Sequence, residues 1–196
     1  MPASTRDIAR TAVRAQLGEV ARELFWQRGF DAVTVNDLAA AAGVSRSTFL
    51  RYFETKEEAV LYAFDQQGLD IAAAIRDRPA DEDDWTAVRR ALDVLLRQYA
   101  QDPATSRRMA QLVQSSPGLC AGQLEKHSEW ASLAARALAE RAPTSRAAGV
   151  PDLRIRVRAA AAMACLTVAV DHWVDVDGQA DLADLLDQAF EALRSR

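Results

Sequence analysis

The chain is poor in the residues that build metal centres and covalent cross-links. It holds two histidines and two cysteines, and the cysteines, Cys120 and Cys165, lie far apart without a CxxC spacing. A structural zinc site or a disulfide framework is therefore not expected. We predict no metal and no other cofactor, and the composition suits a reducing cytoplasm.

Long apolar segments are also lacking. The longest runs from Ala159 to Val170 and is interrupted only by Thr167, so it is shorter than the about 18–20 residues that cross a bilayer. The N-terminal residues, beginning at Met1, contain no apolar stretch typical of a signal peptide. We therefore expect no membrane partner and a cytoplasmic location, with residues 159–170 in a buried helix.

Strand-like alternation is missing, whereas helical periodicity recurs along the whole chain. In the first helix the apolar residues follow the spacing i, i+3, i+4, i+7, i+8. They are Leu17, Val20, Ala21, Leu24 and Phe25. Comparable stripes recur up to the C-terminus, and residues 142–151 contain the clearest loop. The sequence predicts an all-α fold of about nine helices.

The net charge of −4 disfavours a nucleic-acid partner only until its distribution is considered. Residues 1–60 hold eight basic and eight acidic side chains, so the remainder of the chain carries the whole negative charge. Within residues 44–53, Arg46 and Arg51 have no acidic neighbour. A local basic surface of this kind can bind phosphate on an otherwise acidic protein.

The segment Thr34–Lys56 reads TVNDLAAAAGVSRSTFLRYFETK and carries the functional information. It predicts two short helices, Asn36–Ala42 and Arg46–Tyr52, joined through a Gly43 turn, which is the pattern of a helix-turn-helix. The expected N-caps are Thr34 and Ser45 for these two helices and Thr55 for the next one. Phe49 and Phe53 are four residues apart and are expected to face the core. The polar residues 45–48 then lie at the start of the second helix, where they can reach base edges in a major groove.

This ordered pattern, over roughly the first 60 residues, resembles the signature of the TetR family of transcription regulators. The residues that carry the resemblance are Phe25, Gly29, Phe30, Thr34, Val35, Leu38, Ala39, Ala41, Gly43, Val44, Ser45, Thr48, Phe49, Arg51, Tyr52, Phe53, Lys56 and Glu57. The resemblance implies an N-terminal three-helix DNA-binding domain over 1–56 and a helical ligand-binding and dimerisation domain over 57–196.

Carried onto this chain, the resemblance implies base contacts from the recognition helix and phosphate contacts around it. The implied DNA-binding residues are Thr34, Asn36, Ser45, Arg46, Ser47, Thr48, Arg51, Tyr52 and Lys56. Phosphate contacts set register, whereas base contacts carry the sequence preference. Leu50 stands where the family often has tyrosine, so it either contacts a thymine methyl group or packs internally.

The last two helices are expected to form a dimer interface. The final helix shows a full apolar stripe, and residues 159–170 are apolar on nearly all sides, which one subunit has difficulty covering. The predicted interface residues are Ile155, Ala162, Leu166, Leu182, Leu186 and Phe190. The alternative is that these side chains are buried only within the subunit.

The central helices supply candidates for a ligand pocket. They are the large apolar residues Phe64, Trp85, Leu92, Tyr99, Met109, Leu112, Val113, Trp130 and Leu133. Each could equally be an ordinary core residue. Because no charge cluster marks an ionic ligand, we expect an unknown apolar or amphipathic effector. The recognition segment also resembles that of actinobacterial relatives associated with acyl-CoA-like ligands.

The resulting hypothesis is a homodimeric one-component regulator, most simply a repressor, that leaves double-stranded operator DNA when an effector binds. Two alternatives come from other classes. A helical carrier with a non-functional DNA head would show no sequence-preferring, salt-dependent duplex binding. An enzyme could use His127 with Glu125 and Glu129, or His172 with Asp171 and Asp175, but no recognised catalytic motif accompanies these residues, so we predict no catalytic residues.

Overall fold

A computed structural model describes residues 5–141 and 152–194, and every regular element within them is an α-helix. The segments are α1 (Thr5–Arg28), α2 (Val35–Ala41), α3 (Arg46–Leu50), α4 (Lys56–Leu61), α5 (Ala63–Arg76), α6 (Asp84–Ala91), α7 (Asp93–Gln101), α8 (Pro103–Ser115), α9 (Pro117–Arg141), α10 (Leu153–Asp175) and α11 (Leu182–Arg194). The loop predicted at 142–151 lies outside the described residues.

Two pairs of these segments are continuous helices. Tyr62 alone separates α4 from α5, Leu92 alone separates α6 from α7, and both residues keep right-handed helical backbone angles. Joining each pair gives nine helices in the described part of the chain. The predicted all-α fold is therefore confirmed.

Short polar side chains set the starts of the helices in the N-terminal part. Thr34, Ser45 and Thr55 each precede a helix in extended conformation and accept a hydrogen bond from the backbone N–H three residues later. This is N-capping, as the sequence indicates. The second predicted helix of the motif is shorter than expected, because α3 ends at Leu50 and not at Tyr52.

The N-terminal helices enclose a core rich in phenylalanine. Helix α1 packs against α2 and α4, and α2 packs against α3. Phe25, Phe49 and Phe53 are buried between them, and the rings of Phe49 and Phe53 lie 5.7 Å apart. The predicted inward orientation of the last two residues is confirmed. Since one face of α3 is buried by Phe49, its other face is left to solvent.

The C-terminal helices pack around α9. This helix lies between α5 and α10, with α8 beside it and α11 against α10. The apolar part of α10 is buried at Ala159, Ala162, Met163, Cys165, Leu166, Ala169 and Val170. No helix among the described residues is long and apolar enough to span a bilayer.

Helix α4 connects the two halves of the fold. It packs against α1 on one side and against α9 on the other. The predicted domain boundary, between residues 56 and 57, falls at the first turn of this helix. Helix α4 is therefore in direct contact with both α1 and α9.

Candidate functional site

The start of α3 presents a cluster of exposed polar side chains. Ser45, Arg46 and Ser47 are exposed and Thr48 is half-buried. The Ser45 hydroxyl accepts a hydrogen bond from the Thr48 backbone N–H at 3.1 Å and lies 3.0 Å from the Ser47 hydroxyl. The predicted base-reading residues therefore lie together at one edge of the molecule.

The basic side chains near this edge are not neutralised by the protein. Among the described residues, neither Arg46 nor Arg51 forms an ion pair with a carboxylate. The guanidinium of Arg51, which is exposed, lies 5.6 Å from the ring centroid of the half-buried Tyr52. Glu58, on the adjacent helix, is instead paired with Arg14 at 2.5 Å. The arrangement leaves the positive charge on α3 available to an anionic partner.

Thr34 and Asp37 form a capping box at the start of α2. The Thr34 hydroxyl accepts from the Asp37 N–H at 3.3 Å, and an Asp37 carboxylate oxygen accepts from the Thr34 N–H at 2.9 Å. These side-chain and backbone hydrogen bonds lower the pKa of Asp37, so it is ionised at neutral pH. Thr34 and Asn36 are exposed at this helix start.

The side chain of Lys56 forms hydrogen bonds within the protein. Its Nζ donates to the backbone oxygens of Phe30 at 2.8 Å and Val33 at 3.3 Å, and it lies 4.1 Å from the Phe30 ring centroid. The lysine thus ties α4 to the loop between α1 and α2. Leu50 is half-buried, so part of its side chain packs internally. The contacts of all the predicted DNA-binding residues with DNA stay predictions.

A cavity of about 140 Å³ lies between the N-terminal helices and the helices of the body. Four of the predicted pocket residues line it, namely Phe64, Tyr99, Met109 and Val113. Trp130 lines a smaller space of about 10 Å³, which shares Phe64 and Tyr99 with the cavity.

The other predicted pocket residues lie elsewhere in the fold. Leu92 is fully buried in the core. The ring of Trp85 packs against Phe190 with 4.4 Å between centroids. Leu112 and Leu133 are half-buried and do not belong to the lining of either space. None of these four residues therefore lines the cavity or the smaller space.

Eight further residues of the cavity wall were not predicted from the sequence, and six of them are polar. The polar residues are Arg22, Gln67, Gln98, Thr105, Ser106 and Gln123, and the two apolar residues are Val60 and Ala110. Gln67 donates from Nε2 to Oε1 of Gln98 at 3.0 Å, which links α5 to α7 across the wall. Glutamines on the inner faces of helices were the available signal, but selecting large apolar residues excluded them.

The predicted dimer residues are mostly covered by their own subunit. Ala162, Leu166, Leu182, Leu186 and Phe190 are all less than 9% exposed, and Ile155 is half-buried. A partner subunit would therefore have to contact other side chains of these helices. Whether the six residues contribute to a dimer interface stays a prediction.

An exposed apolar row does exist on α10. Leu153, Val157 and Val168 are 70%, 57% and 62% exposed, and the exposed Ala164 lies between the last two. Their spacing of four, seven and four residues places them on one face of the helix. This row is separate from the buried residues predicted for the interface.

The acid–base set considered around His127 does not assemble. His127 is buried, and its Nδ1 lies 3.0 Å from the Thr167 hydroxyl and not beside Glu125, which is exposed. Burial lowers the pKa of His127 to about 4. No group of three or more histidine, cysteine, aspartate or glutamate side chains that could hold a metal ion occurs within the described ranges.

The fold and the exposed helix start define the class of helix-turn-helix proteins with a helical C-terminal body. Residues 17–63 match the family described as "Bacterial regulatory proteins, tetR family". Residues 82–196 match the family described as "MftR C-terminal domain". The chain belongs to the TetR family of transcription regulators, and this family consists of DNA-binding regulators and not enzymes.

Individual relatives agree with this assignment. The chain is 34% identical to the HTH-type transcriptional regulator TcmR of Streptomyces glaucescens over 69% of this chain and 62% of that protein. It is 34% identical to EthR of Mycolicibacterium smegmatis over 50% of this chain and 46% of that protein. The matches thus span about half to three-fifths of the lengths of these relatives.

A solved structure shares the fold over almost the whole chain. The TetR-family repressor FadR of Thermus thermophilus, in complex with lauroyl-CoA, superposes with a TM-score of 0.62 at 23% identity. The superposition covers 92% of this chain and 93% of FadR.

Proposed function

We propose that this protein is a ligand-responsive transcription regulator that binds operator DNA as a homodimer and acts as a repressor. The observation that carries the proposal is the exposed polar start of α3, where Phe49 is buried on the opposite side and Arg46 forms no ion pair with any carboxylate that the structure describes. A helix presented in this way suits a major groove, where one arginine can bind a guanine edge bidentately. A cytoplasmic location accords with this function.

The exposed apolar row on α10 supports the dimer. Val157, Ala164 and Val168 form a face that a two-fold related α10 could cover with the same residues. Two subunits joined through this face would each carry one α3. For recognition of a palindromic operator, the two helices must sit about 34–36 Å apart, one turn of the duplex.

The cavity supports a small-molecule effector. Its volume of about 140 Å³ is close to the about 150 Å³ of an engineered apolar cavity that binds benzene. The apolar wall formed by Val60, Phe64, Met109 and Val113 suits an apolar or amphipathic compound. Because FadR of similar fold binds lauroyl-CoA, an acyl-type compound is one form that the effector could take.

The location of the cavity suggests how an effector would reach the DNA-binding helices. Arg22 of α1 and Val60 of α4 belong to its wall, together with α5, α7, α8 and α9. An occupant would therefore contact both halves of the fold. The effector would have a higher affinity for an arrangement of the subunits in which the two α3 helices do not match the spacing of the major grooves. Operator affinity would then fall by the ratio of the effector's affinities for the two arrangements.

The decisive experiment measures binding of the purified protein to a fluorescent duplex of its own upstream region. Random DNA of equal length and two salt concentrations serve as references, since phosphate contacts alone are sequence-independent and strongly salt-dependent. Arg46→Ala is compared with Arg97→Ala, which removes an exposed arginine of α7. We expect Arg46→Ala to weaken specific binding by about 1–3 kcal/mol and Arg97→Ala to leave it unchanged.

Equal loss in both variants would mean that the protein binds DNA only through overall charge. Absence of sequence-preferring binding to any upstream fragment would favour the carrier alternative, in which the N-terminal helices serve only as a structural support.

A further inference from the structure

Arg14 of α1 lies where this helix meets the turn between α3 and α4. Its Nη2 donates to Oε1 of Glu58 at 2.5 Å, and its guanidinium carbon lies 5.0 Å from the ring centroid of Phe53 and 4.8 Å from that of Tyr62. The two rings pack edge-on with 5.6 Å between centroids. One carboxylate and two aromatic rings therefore bind the guanidinium, an environment that suits arginine. These four residues form the Arg14 cluster.

Glu58 connects the Arg14 cluster to the turn that follows α3, residues 51–55. Its second carboxylate oxygen, Oε2, accepts a hydrogen bond from the backbone N–H of Glu54 at 2.8 Å. Because Oε1 is bound to Arg14, one carboxylate joins α1 to the backbone of the turn. The Glu58 backbone N–H also donates to the Thr55 hydroxyl at 3.1 Å. The start of α4 thus holds the turn at two neighbouring residues.

Phe53 connects the Arg14 cluster to α3 itself. Its backbone N–H donates to the Phe49 oxygen at 3.0 Å, and the rings of these two residues lie 5.7 Å apart. Phe49 is the buried residue of α3 and packs in the N-terminal core. Two connections therefore lead from Arg14 to α3, one through the backbone of the turn and one through the packing of Phe53 on Phe49.

Gly18 leaves room for the Tyr62 ring beside Arg14. It follows Arg14 by four residues and so lies on the same face of α1. A Cβ at residue 18 would come within 3.1 Å of the Tyr62 ring and 3.5 Å of the Ala59 backbone oxygen. A side chain at this position would therefore press on the ring. The close approach of α1 and α4 at Gly18 keeps Arg14 within contact distance of both aromatic rings.

The surroundings of Arg14 differ from those of an arginine that is available to DNA. Its Nε is buried without a hydrogen-bond partner within the described ranges, and its side chain is 30% exposed. Arg10 lies one turn earlier on the same face. It is exposed and pairs with no carboxylate that the structure describes. Arg10 is therefore available to a phosphate, whereas Glu58 already compensates the charge of Arg14.

We propose that Arg14 is a positioning residue for DNA recognition, which fixes the orientation of α3 by holding the turn after it against α1. The inference rests on the proposed DNA-binding function and adds a determinant of sequence preference that does not itself touch DNA. Base contacts depend on accurate placement of α3 in the major groove, whereas phosphate contacts are independent of sequence. Loss of the Arg14 cluster therefore lowers operator binding more than it lowers binding to random DNA.

The test measures dissociation constants of the full-length protein for two duplexes of equal length over a series of salt concentrations. One duplex is the sequence that the wild type selects from a random library, and the other is random DNA. The variants are Arg14→Gln, Glu58→Gln and the matched control Arg10→Gln, which removes the same charge from the same face of α1. The ratio of the two constants reports sequence preference and cancels any loss of folded protein. The slope of affinity against salt concentration reports the number of phosphate contacts.

We expect Arg14→Gln to lower the ratio by at least about fivefold, the lower end of what one misplaced base contact costs, and to keep the salt slope. Glu58→Gln should lower the ratio as well, since glutamine has one acceptor oxygen for the two donors that Glu58 binds. If Arg14 contacted phosphate directly, Glu58→Gln would instead strengthen binding by freeing the guanidinium. Arg10→Gln should leave the ratio unchanged.

A salt slope reduced by about 1 in Arg14→Gln at an unchanged ratio would overturn the proposal and identify a phosphate contact. An unchanged ratio in both Arg14→Gln and Glu58→Gln, or an equal fall of the ratio in Arg10→Gln, would overturn it too. If Arg14→Gln fails to fold, Glu58→Gln decides the question. A wild type that selects no sequence refutes the proposed function and this inference with it, whereas a selective wild type with equally selective variants refutes this inference alone.

Discussion

Lys56 shows how the structure changes the reading of a single side chain. In the sequence it is a phosphate-binding candidate at the start of a helix. In the structure its ammonium group joins α4 to two backbone oxygens of the loop before α2. Backbone acceptors in a partly buried position need a donor, so the lysine has a structural task whether or not it also contacts DNA.

Lys56→Ala is expected to lower the free energy of unfolding by about 1–3 kcal/mol, because the Phe30 and Val33 oxygens lose their charged donor. Urea denaturation measures this change. Lys126→Ala provides the control: this lysine pairs with Asp65 and Glu129 near the surface, and such pairs contribute less than about 1 kcal/mol. Equal effects of the two substitutions would show that the Lys56 contacts contribute no special stability.

Among the site residues, the positions at the DNA-binding edge could be predicted from local spacing, whereas two thirds of the cavity wall could not. Ser45 and Thr48 follow from a cap and a helix turn that lie within a few residues of each other. Gln67 and Gln98 are 31 residues apart, and their hydrogen bond depends on how α5 packs beside α7. Selecting large apolar side chains found Met109 and Val113 but also chose Trp85, because a core stripe and a cavity wall have the same spacing.

The turn between α2 and α3 is fixed by the ends of its helices. The capping box of Thr34 and Asp37 starts α2, and Gly43, with φ of +67°, ends it. In this conformation the Val44 N–H donates to the Ala39 oxygen at 3.0 Å, which closes the helix and directs the chain into α3. These contacts set the angle at which α3 faces outward.

Thr34→Ala is expected to destabilise the protein by about 1 kcal/mol through loss of the N-cap. The substitution should also make the stability of the protein less sensitive to acidification. The pKa of Asp37 is lowered in the folded protein. Its contribution to the free energy of unfolding is therefore fully present above about pH 4 and is lost as the pH falls through the lowered pKa.

Melting temperatures of the wild type and Thr34→Ala between neutral and acid pH measure both effects. The wild type should lose more stability than the variant on acidification. Thr55→Ala removes the N-cap of α4, where the hydroxyl accepts from the Glu58 N–H at 3.1 Å, and serves as a cap control. Parallel curves for the wild type and Thr34→Ala would contradict a role of Asp37.

For the assembled molecule, the orientation of α10 determines which surface a second subunit can use. The helix buries Ala162 and Leu166 against its own subunit and leaves Val157 and Val168 in solvent. The apolar row must be covered by another molecule to contribute hydrophobic stabilisation. In the proposed homodimer, two identical rows in a two-fold arrangement would provide this cover.

Val168→Glu is expected to convert the dimer to a monomer, because it places two carboxylates close together in the apolar contact. Sedimentation velocity at micromolar concentration measures the change. Leu124→Glu is the matched control, since Leu124 is 60% exposed on α9 and Val168 is 62% exposed on α10. A wild-type monomer, or a dimer that persists in Val168→Glu, would rule out this face as the interface.

The cavity offers a second test that concerns the whole subunit. Met109→Trp fills part of the space with an indole ring and should imitate an effector. We expect operator affinity to fall about fivefold or more, the range of typical coupling free energies. Leu112→Trp adds the same ring three residues later, outside the cavity lining, and should leave affinity unchanged. If Met109→Trp and Leu112→Trp bound the operator duplex with equal affinity, filling the cavity would have no effect on DNA binding.

The helical fold, the positions of the caps and the helix-turn-helix could be obtained from the sequence. Each depends on residues within about one or two turns of a helix, so spacing is sufficient to determine it. Thr34, Ser45, Thr55, Phe49 and Phe53 all occupy the structural positions that their spacing predicts.

The cavity and the exposed face of α10 were decided by tertiary packing. An apolar stripe does not indicate which neighbour will cover it, so Leu186 could be assigned equally to a partner or to its own subunit. Arg22 of α1 and Val113 of α8 line the same cavity only because α4, α5 and α9 fix the relative positions of these two helices. Such meetings depend on the sum of many distant contacts, which local periodicity does not encode.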